Sequence, residues 1–170
     1  MDYILNRRSV RSYDLSKKVS YDNLKQLCIY GEAAPTARNQ KSREYIIIDD
    51  QEIINKLATI SKGSMILSKC NTVIAVIGKN PNEMVTPHMQ DQDLACAVEN
   101  ILIAATKMGI GSCYIGVHPL EERVKPCNEV LNVTNGNYTF ALIALGYPKD
   151  DDCFYDRQKF DDSMLHHNRY

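Results

Sequence analysis

Gln90-Asp91-Gln92-Asp93-Leu94-Ala95-Cys96-Ala97-Val98-Glu99-Asn100-Ile101-Leu102-Ile103-Ala104-Ala105-Thr106-Lys107-Met108 is the strongest helical stretch of the chain, and what it needs around it decides the fold. Leu94, Val98, Ile101, Leu102, Ala105 and Met108 recur at helical spacing, and Gly109 supplies a stop. Ala95, Ala97, Ala104 and Ala105 spread apolar surface around much of the circumference. Such a helix is central, covered by a sheet, by other helices or by a partner subunit. Asn100 is its polar exception and needs a hydrogen-bond partner, within the helix or across to another.

Outward from this helix lie the strands. Tyr45-Ile46-Ile47-Ile48, within Glu44 to Asp49, is a continuous apolar run expected to be buried on both faces. Ile53, Ile54 and Leu57 follow at helical spacing, and Thr72 to Ile77 gives a second buried strand closed by Gly78. Downstream, Ser112 to Gly116 reads as a short strand opening into a loop, with Gly116 allowing a ligand near the main chain. Pro119 suits the first turn of another helix, with Leu120 and Val124 inward. After the Asn135-Gly136 turn comes Tyr138 to Leu145, stopped by Gly146-Tyr147-Pro148. Near the start, Asp2 to Asn6 reads as a short helix, and Ser20 caps a second one carrying Leu24, Leu27 and Cys28, ended by Gly31. Strands separated by helices fit a doubly wound parallel sheet or an α+β arrangement, and periodicity does not choose between them. No glycine-rich phosphate loop follows a strand, which argues against a Rossmann cofactor site.

A length of 170 residues with 44% hydrophobic and 24% charged content suits one domain with a substantial core. A net charge of -1 argues against a whole-protein role on nucleic acid or anionic membrane, so any basic function is local. No apolar run reaches the roughly 20 residues needed to cross a bilayer, and Met1-Asp2-Tyr3 begins no secretory pattern. The chain reads as cytoplasmic. Cys28, Cys70, Cys96, Cys113, Cys127 and Cys153 are too scattered for close metal-ligand pairs, and reduced thiols are expected. Cys113 and His118 are near in sequence, but a buried thiol and a loop histidine are the plainer reading than a nucleophile or metal pair.

Three other segments carry chemistry. Asn6-Arg7-Arg8-Ser9-Val10-Arg11-Ser12-Tyr13 offers guanidinium forks, hydroxyls and amides, the donor set that suits a phosphate, although a solvated basic surface is the default from composition alone. Glu32 to Lys41 mixes small residues and Pro35 with Thr36, Asn39 and Gln40; it reads as a loop for close approach of a flat ligand or as a plain polar connector. Lys79 to Met89 is polar and contains prolines, a place for a flexible lid or for an inert surface loop.

Taken in order, Arg7-Arg8-Ser9-Val10-Arg11-Ser12-Tyr13, Ala34-Pro35-Thr36-Ala37-Arg38-Asn39, the alanine-rich helix with Asn100, Cys113-Tyr114-Ile115-Gly116 and Gly146-Tyr147-Pro148 resemble the flavin-dependent nitroreductase family over nearly the whole chain. His167-Asn168-Arg169-Tyr170 also looks like the family's ending. The resemblance implies an α+β fold with a mainly antiparallel central sheet flanked by helices. It further implies an intertwined homodimer with FMN at the subunit interface: one FMN-binding domain over 1–170, with the 150–170 tail packing on the partner subunit. The implied activity is an oxidoreductase that takes a hydride from NADH or NADPH and reduces a small organic acceptor, such as a nitroaromatic or quinone, in a ping-pong scheme. Flavin N5 would be the reactive centre, with no catalytic side chain and no metal.

By the same resemblance Arg7, Arg8, Ser9 and Arg11 match the motif for the FMN phosphate, ribityl chain and pyrimidine edge, and Arg157 matches a basic position that completes the phosphate site. Pro35, Thr36, Ala37 and Asn39 match the loop reaching the flavin from the other subunit; Ile115 and Gly116 match the stretch whose backbone lies against the ring. Where the family often has glutamine, proline and a large aromatic, this chain has Lys41-Ser42-Arg43, so Lys41 faces flavin, substrate or solvent. The chain has no room for the large helical insertions of some members, and an open pocket is expected. Rival readings are reductive dehalogenation or flavin destruction within the same fold, and a non-enzymatic flavin-binding protein acting as a sensor or store.

Overall fold

The computed structural model describes residues 2–150, 152–156 and 159–170. Four strands, β1 (Arg43–Ile48), β2 (Thr72–Gly78), β3 (Gly111–Gly116) and β4 (Tyr138–Gly146), form one sheet in the order β1-β2-β4-β3, with every neighbouring pair antiparallel. The sheet is therefore of the α+β kind and not doubly wound. β2 and β3 both oppose β4 and so run parallel to each other; the helix α4 (Gln90–Lys107) makes the long crossover between them.

β2 is buried along its full length because it is an inner strand with helices on both faces. β1 departs from expectation. It is an edge strand, so Tyr45, Ile46 and Ile47 are only partly buried, although both of its faces pack on core. One face of the sheet presents Val73, Ala75, Leu142 and Ala144 to α3 (Gln51–Ala58) and α5 (Glu121–Leu131); the other presents Ile74, Val76, Ile143 and Leu145 to α2 (Tyr21–Glu32) and α4. Leu94, Ile101 and Ala105 of α4 are fully buried there, and each large one contributes about 1.5–3 kcal/mol by leaving water. Asn100 finds its partner across the helix pair, donating from Nδ2 to the Tyr30 carbonyl at 3.2 Å.

Two sequence expectations need correcting. Gly31 does not end α2, which continues to Glu32; a Cβ there would lie 2.8 Å from the Tyr45 hydroxyl and 3.0 Å from Ile101 Cδ1, so its role is close packing of α2 on α4 and β1. Pro119 lies ahead of α5, joined to His118 by a cis peptide bond, and Leu120 is the exposed residue that precedes the helix while Val124 is buried. No helix is long and apolar enough to cross a membrane among the described residues. Those of the tail form a short turn at Asp162–Met164 and leave Phe160, Met164 and Leu165 exposed.

Candidate functional site

The arginine segment follows α1 (Tyr3–Asn6), whose cap is Asp2: its carboxylate accepts from the Ile4 and Leu5 amides at 3.0 and 3.2 Å. The chain then extends along the free edge of β3. The Val10 amide donates to the Ser112 carbonyl at 2.9 Å, and further on Asp14 N donates to Tyr147 O at 2.9 Å and Lys149 N to Ser12 O at 3.1 Å. Val10 and Tyr13 turn into the core, where the Tyr13 hydroxyl donates to Val10 O at 2.6 Å and burial pushes its phenol well above the usual range. Two glycines permit this close seating. A Cβ on Gly111 would lie 2.8 Å from Val10 Cγ1, and one on Gly146 would lie 2.9 Å from the Tyr13 ring.

The remaining side chains line a hollow of about 370 Å³: Arg7, Arg8, Ser9, Arg11 and Ser12, with Asp150, Cys153 and Tyr155 opposite. Arg8 lies 5.1 Å over the Tyr155 ring, a cation–π contact, and its Nη1 donates to Arg7 O at 2.6 Å. Its Nε is buried without a hydrogen-bond partner among the described residues, as is the hydroxyl of Ser112 on the adjoining strand. Arg7 pairs through Nε with Glu99 of α4 at 3.2 Å, and Arg11 Nη1 donates to Ser9 O at 3.2 Å. The hollow is thus rich in donors, with Asp150 as its acidic lining residue. A larger hollow of about 610 Å³ beside α3 is lined by Asn55, Thr59, Ser61, Lys62, Met65 and Ser68 among others, with one lysine and no guanidinium.

The loop 35–41 sits elsewhere, against the first turn of α4. The buried Asp93 carboxylate accepts from Ala37 N at 2.8 Å, Gln40 Nε2 at 2.7 Å and Ser42 Oγ at 3.1 Å. Arg43, also buried, donates from Nη2 to the carbonyls of Glu32 and Ala34 at 2.8 and 2.5 Å and pairs with Glu32 through Nε. Gln40, a ligand donor in the sequence reading, is instead used internally: its Oε1 accepts from Thr86 N and Oγ1 at 2.9 and 3.1 Å. Arg38, Asn39 and Lys41 are exposed and all have left-handed backbone, φ 51, 52 and 47°. Pro35 is exposed and Thr36 half-buried. The 79–89 segment is no free lid: two 3₁₀ turns, Pro81–Glu83 and Pro87–Met89, are tied down through Thr86 to Gln40 and through Lys79 O to Gln90 Nε2 at 2.7 Å.

At the far end of β3, Ile115 turns its side chain into the core while the Gly116 carbonyl accepts from Arg123 Nη1 at 3.0 Å. Beyond it His118 Nε2 lies 3.3 Å from Asp91 Oδ2, and the Tyr138 hydroxyl donates to Asp91 Oδ1 at 3.3 Å. Burial first, then the Asp91 carboxylate, raises both the Tyr138 and Tyr114 phenols, so they remain protonated donors at neutral pH. Cys113 is buried core, with its thiol likewise raised by burial.

Arg7, Arg8, Ser9 and Arg11 therefore share one hollow. Pro35, Thr36, Ala37, Asn39 and Lys41 form a second group, tied to the first turn of α4 where Ala37 N donates to Asp93, and Ile115 and Gly116 a third, on β3. None of the loop residues lines the arginine hollow, and Arg157 lies outside the described residues. Asp93, Arg123 and Tyr155 have no role in the sequence reading, where Arg43 stands only as part of the Lys41-Ser42-Arg43 departure and Ser112 only as the start of a strand. Only Arg43 carried a signal, a basic residue opening an apolar strand.

Residues 4–79 and 65–147 match the family model described as the nitroreductase family. A relative from Archaeoglobus fulgidus, provisionally named NADH dehydrogenase/NAD(P)H nitroreductase, is 31% identical over 98% of this chain and 96% of its own. A crystal structure from Clostridium acetobutylicum, provisionally named NADH oxidase, superposes with a TM-score of 0.91 at 36% identity, covering 99% of this chain and all of the other. The same fold is seen at a TM-score of 0.89 and 23% identity, over 99% of both chains, in a Clostridium difficile protein titled FMN-dependent nitroreductase. With a family model spanning most of its length and a relative of this identity, the chain belongs to the nitroreductase family.

Proposed function

We propose that this protein is an FMN-dependent oxidoreductase that takes a hydride from NADH or NADPH and passes it to a small organic acceptor, such as a nitroaromatic or quinone, by a ping-pong scheme. The observation that carries the reading is the arginine hollow: five donor side chains, from Arg7 to Ser12, with Arg8 Nε and the neighbouring Ser112 hydroxyl buried and without a hydrogen-bond partner among the described residues. That donor set fits a phosphate and a polyol chain, the polar end of FMN. The name of the Archaeoglobus fulgidus relative, NADH dehydrogenase/NAD(P)H nitroreductase, supports the electron donor.

Bound FMN would supply the hydride-accepting centre. Arg7, Arg8, Ser9 and Arg11 would hold its phosphate, ribityl chain and pyrimidine edge, with Arg157 as the further basic contributor to the phosphate proposed from the sequence. Gly116, lacking a side chain, lets the β3 backbone meet the ring. Pro35, Thr36, Ala37, Asn39 and Lys41 lie away from this hollow in one chain, which favours a homodimer in which the loop 35–41 serves the partner's cofactor. Exposed Ile4, Leu5, Phe160, Met164 and Leu165, together with the open Ala95 and Cys96 side of α4, support such a pairing, with the 150–170 tail on the partner.

The test is direct. Protein purified without added flavin, or reconstituted with FMN, should show an oxidised flavin spectrum that bleaches on anaerobic mixing with NADH or NADPH and returns on adding a quinone. A flavin spectrum unchanged by both nicotinamides would leave a flavin-binding protein, not a reductase.

A further inference from the structure

The Asp93 carboxylate lies in the first turn of α4, only 5% exposed, and three of the groups that bond to it come from one short stretch: Ala37 N, Gln40 Nε2 and Ser42 Oγ. Gln40 extends the network to Thr86, accepting from its amide and hydroxyl. Gln90, one turn before Asp93 and itself buried, donates from Nε2 to both Ser42 O at 3.2 Å and Lys79 O at 2.7 Å. Two loops that the sequence treats as separate, 35–42 and 79–89, are thus sewn to the same helix end. Arg38, Asn39 and Lys41 keep left-handed backbones, a conformation that arginine and lysine in particular hold only where the surroundings enforce it.

We infer that Asp93 is the positioning residue of the cofactor site: it acts through the loop 35–42, holding Pro35, Thr36, Ala37 and Asn39 in the shape that meets the flavin. This rests on the FMN reading above. Asp93 touches no ligand itself. Its carboxylate accepts at both oxygens, so an amide in its place turns a donor toward the Gln40 donor, and the loop loses its fixed shape while the core of α4 keeps its packing.

The experiment titrates apoprotein with FMN by fluorescence quenching for wild type, Asp93→Asn, Gln40→Leu and Arg11→Ala. It also measures hydrogen exchange and the visible circular dichroism of the bound flavin. Asp93→Asn should weaken FMN roughly tenfold, the scale of one lost charge-assisted hydrogen bond. It should speed amide exchange in 36–43 and 79–89 alone, and change the flavin dichroism. Gln40→Leu should do the same more weakly, and it carries the test if Asp93→Asn fails to fold. Arg11→Ala should weaken FMN without faster exchange in either loop. Wild-type affinity and dichroism in a folded Asp93→Asn or Gln40→Leu protein, even one with a lowered melting temperature, would overturn the inference and leave the FMN reading intact. Absence of FMN binding by wild type would overturn both.

Discussion

The arginine segment and the loop 35–41 are both irregular stretches offered to a ligand, yet they are held by opposite means. Residues 7–13 are fixed by main chain against main chain along the β3 edge and by two glycines that let Val10 and Tyr13 sit flush on the sheet. The loop has little of that. It is fixed by side chains: Asp93 of α4 accepts from the Ala37 amide, Gln40 of the loop reaches out to Asp93 and Thr86, and Arg43 of β1 holds the Glu32 and Ala34 carbonyls at its entry. Backbone seating tolerates many side chains outward, which lets the arginine side chains line the hollow. Side-chain seating concentrates the load on a few residues, so single substitutions should have larger effects at the loop.

The strongest way to break this contrast is Arg43→Met. The Arg43 side chain is 1% exposed and donates to the carbonyls of Glu32, at the end of α2, and of Ala34, at the entry to the loop. Methionine keeps much of the volume but leaves those acceptors unmet, at about 2–4 kcal/mol for the pair. Urea unfolding should show that loss; a change under about 1 kcal/mol would mean that water replaces the guanidinium without strain. Next in size is Gly146→Ala. The added methyl carbon would fall 2.9 Å from the Tyr13 ring, and the ring has little room to retreat, being buried and bonded to Val10 O. Overpacking of this kind costs about 1–3 kcal/mol, and the arginine hollow should distort with it, seen as weaker FMN uptake. Full stability and full uptake would show that the segment 7–13 shifts as a unit.

The same contrast explains what was legible in the sequence. The segment 7–12 of the hollow announces itself because the chemistry lies in the segment: three arginines and two serines; Tyr155, across from it, does not. The strands and α4 were legible from periodicity, and α4 ends within one residue of the expected Met108. Strand direction was not, because alternating helices and strands suit both sheet types; it came from the resemblance, and the antiparallel ladders agree with it. Exposure of β1 could not be foreseen from Tyr45-Ile46-Ile47-Ile48, since an apolar run does not say whether its strand is inner or edge. Asp93 was invisible for a further reason. Its partners lie 51 to 56 positions away in the chain, and an aspartate in a helix's first turn is usually explained by the helix dipole alone.

The smallest effect expected is the most discriminating about the loop. Lys41 is exposed, has φ 47°, and occurs in none of the ion pairs seen among the described residues. Lys41→Gly removes the steric cost of left-handed backbone but adds unfolded-state entropy, so the two nearly offset and the net should be a stabilisation of no more than about 1 kcal/mol. If the network around Asp93 sets the loop's shape, FMN affinity should stay within about twofold, because the backbone path is imposed from below and the lysine head faces water. A tenfold fall in affinity with unchanged stability would instead put the ammonium in contact with the ligand. Loop seating would then be only half of what the segment does, and the cation at position 41 would join those of the arginine hollow in binding the cofactor.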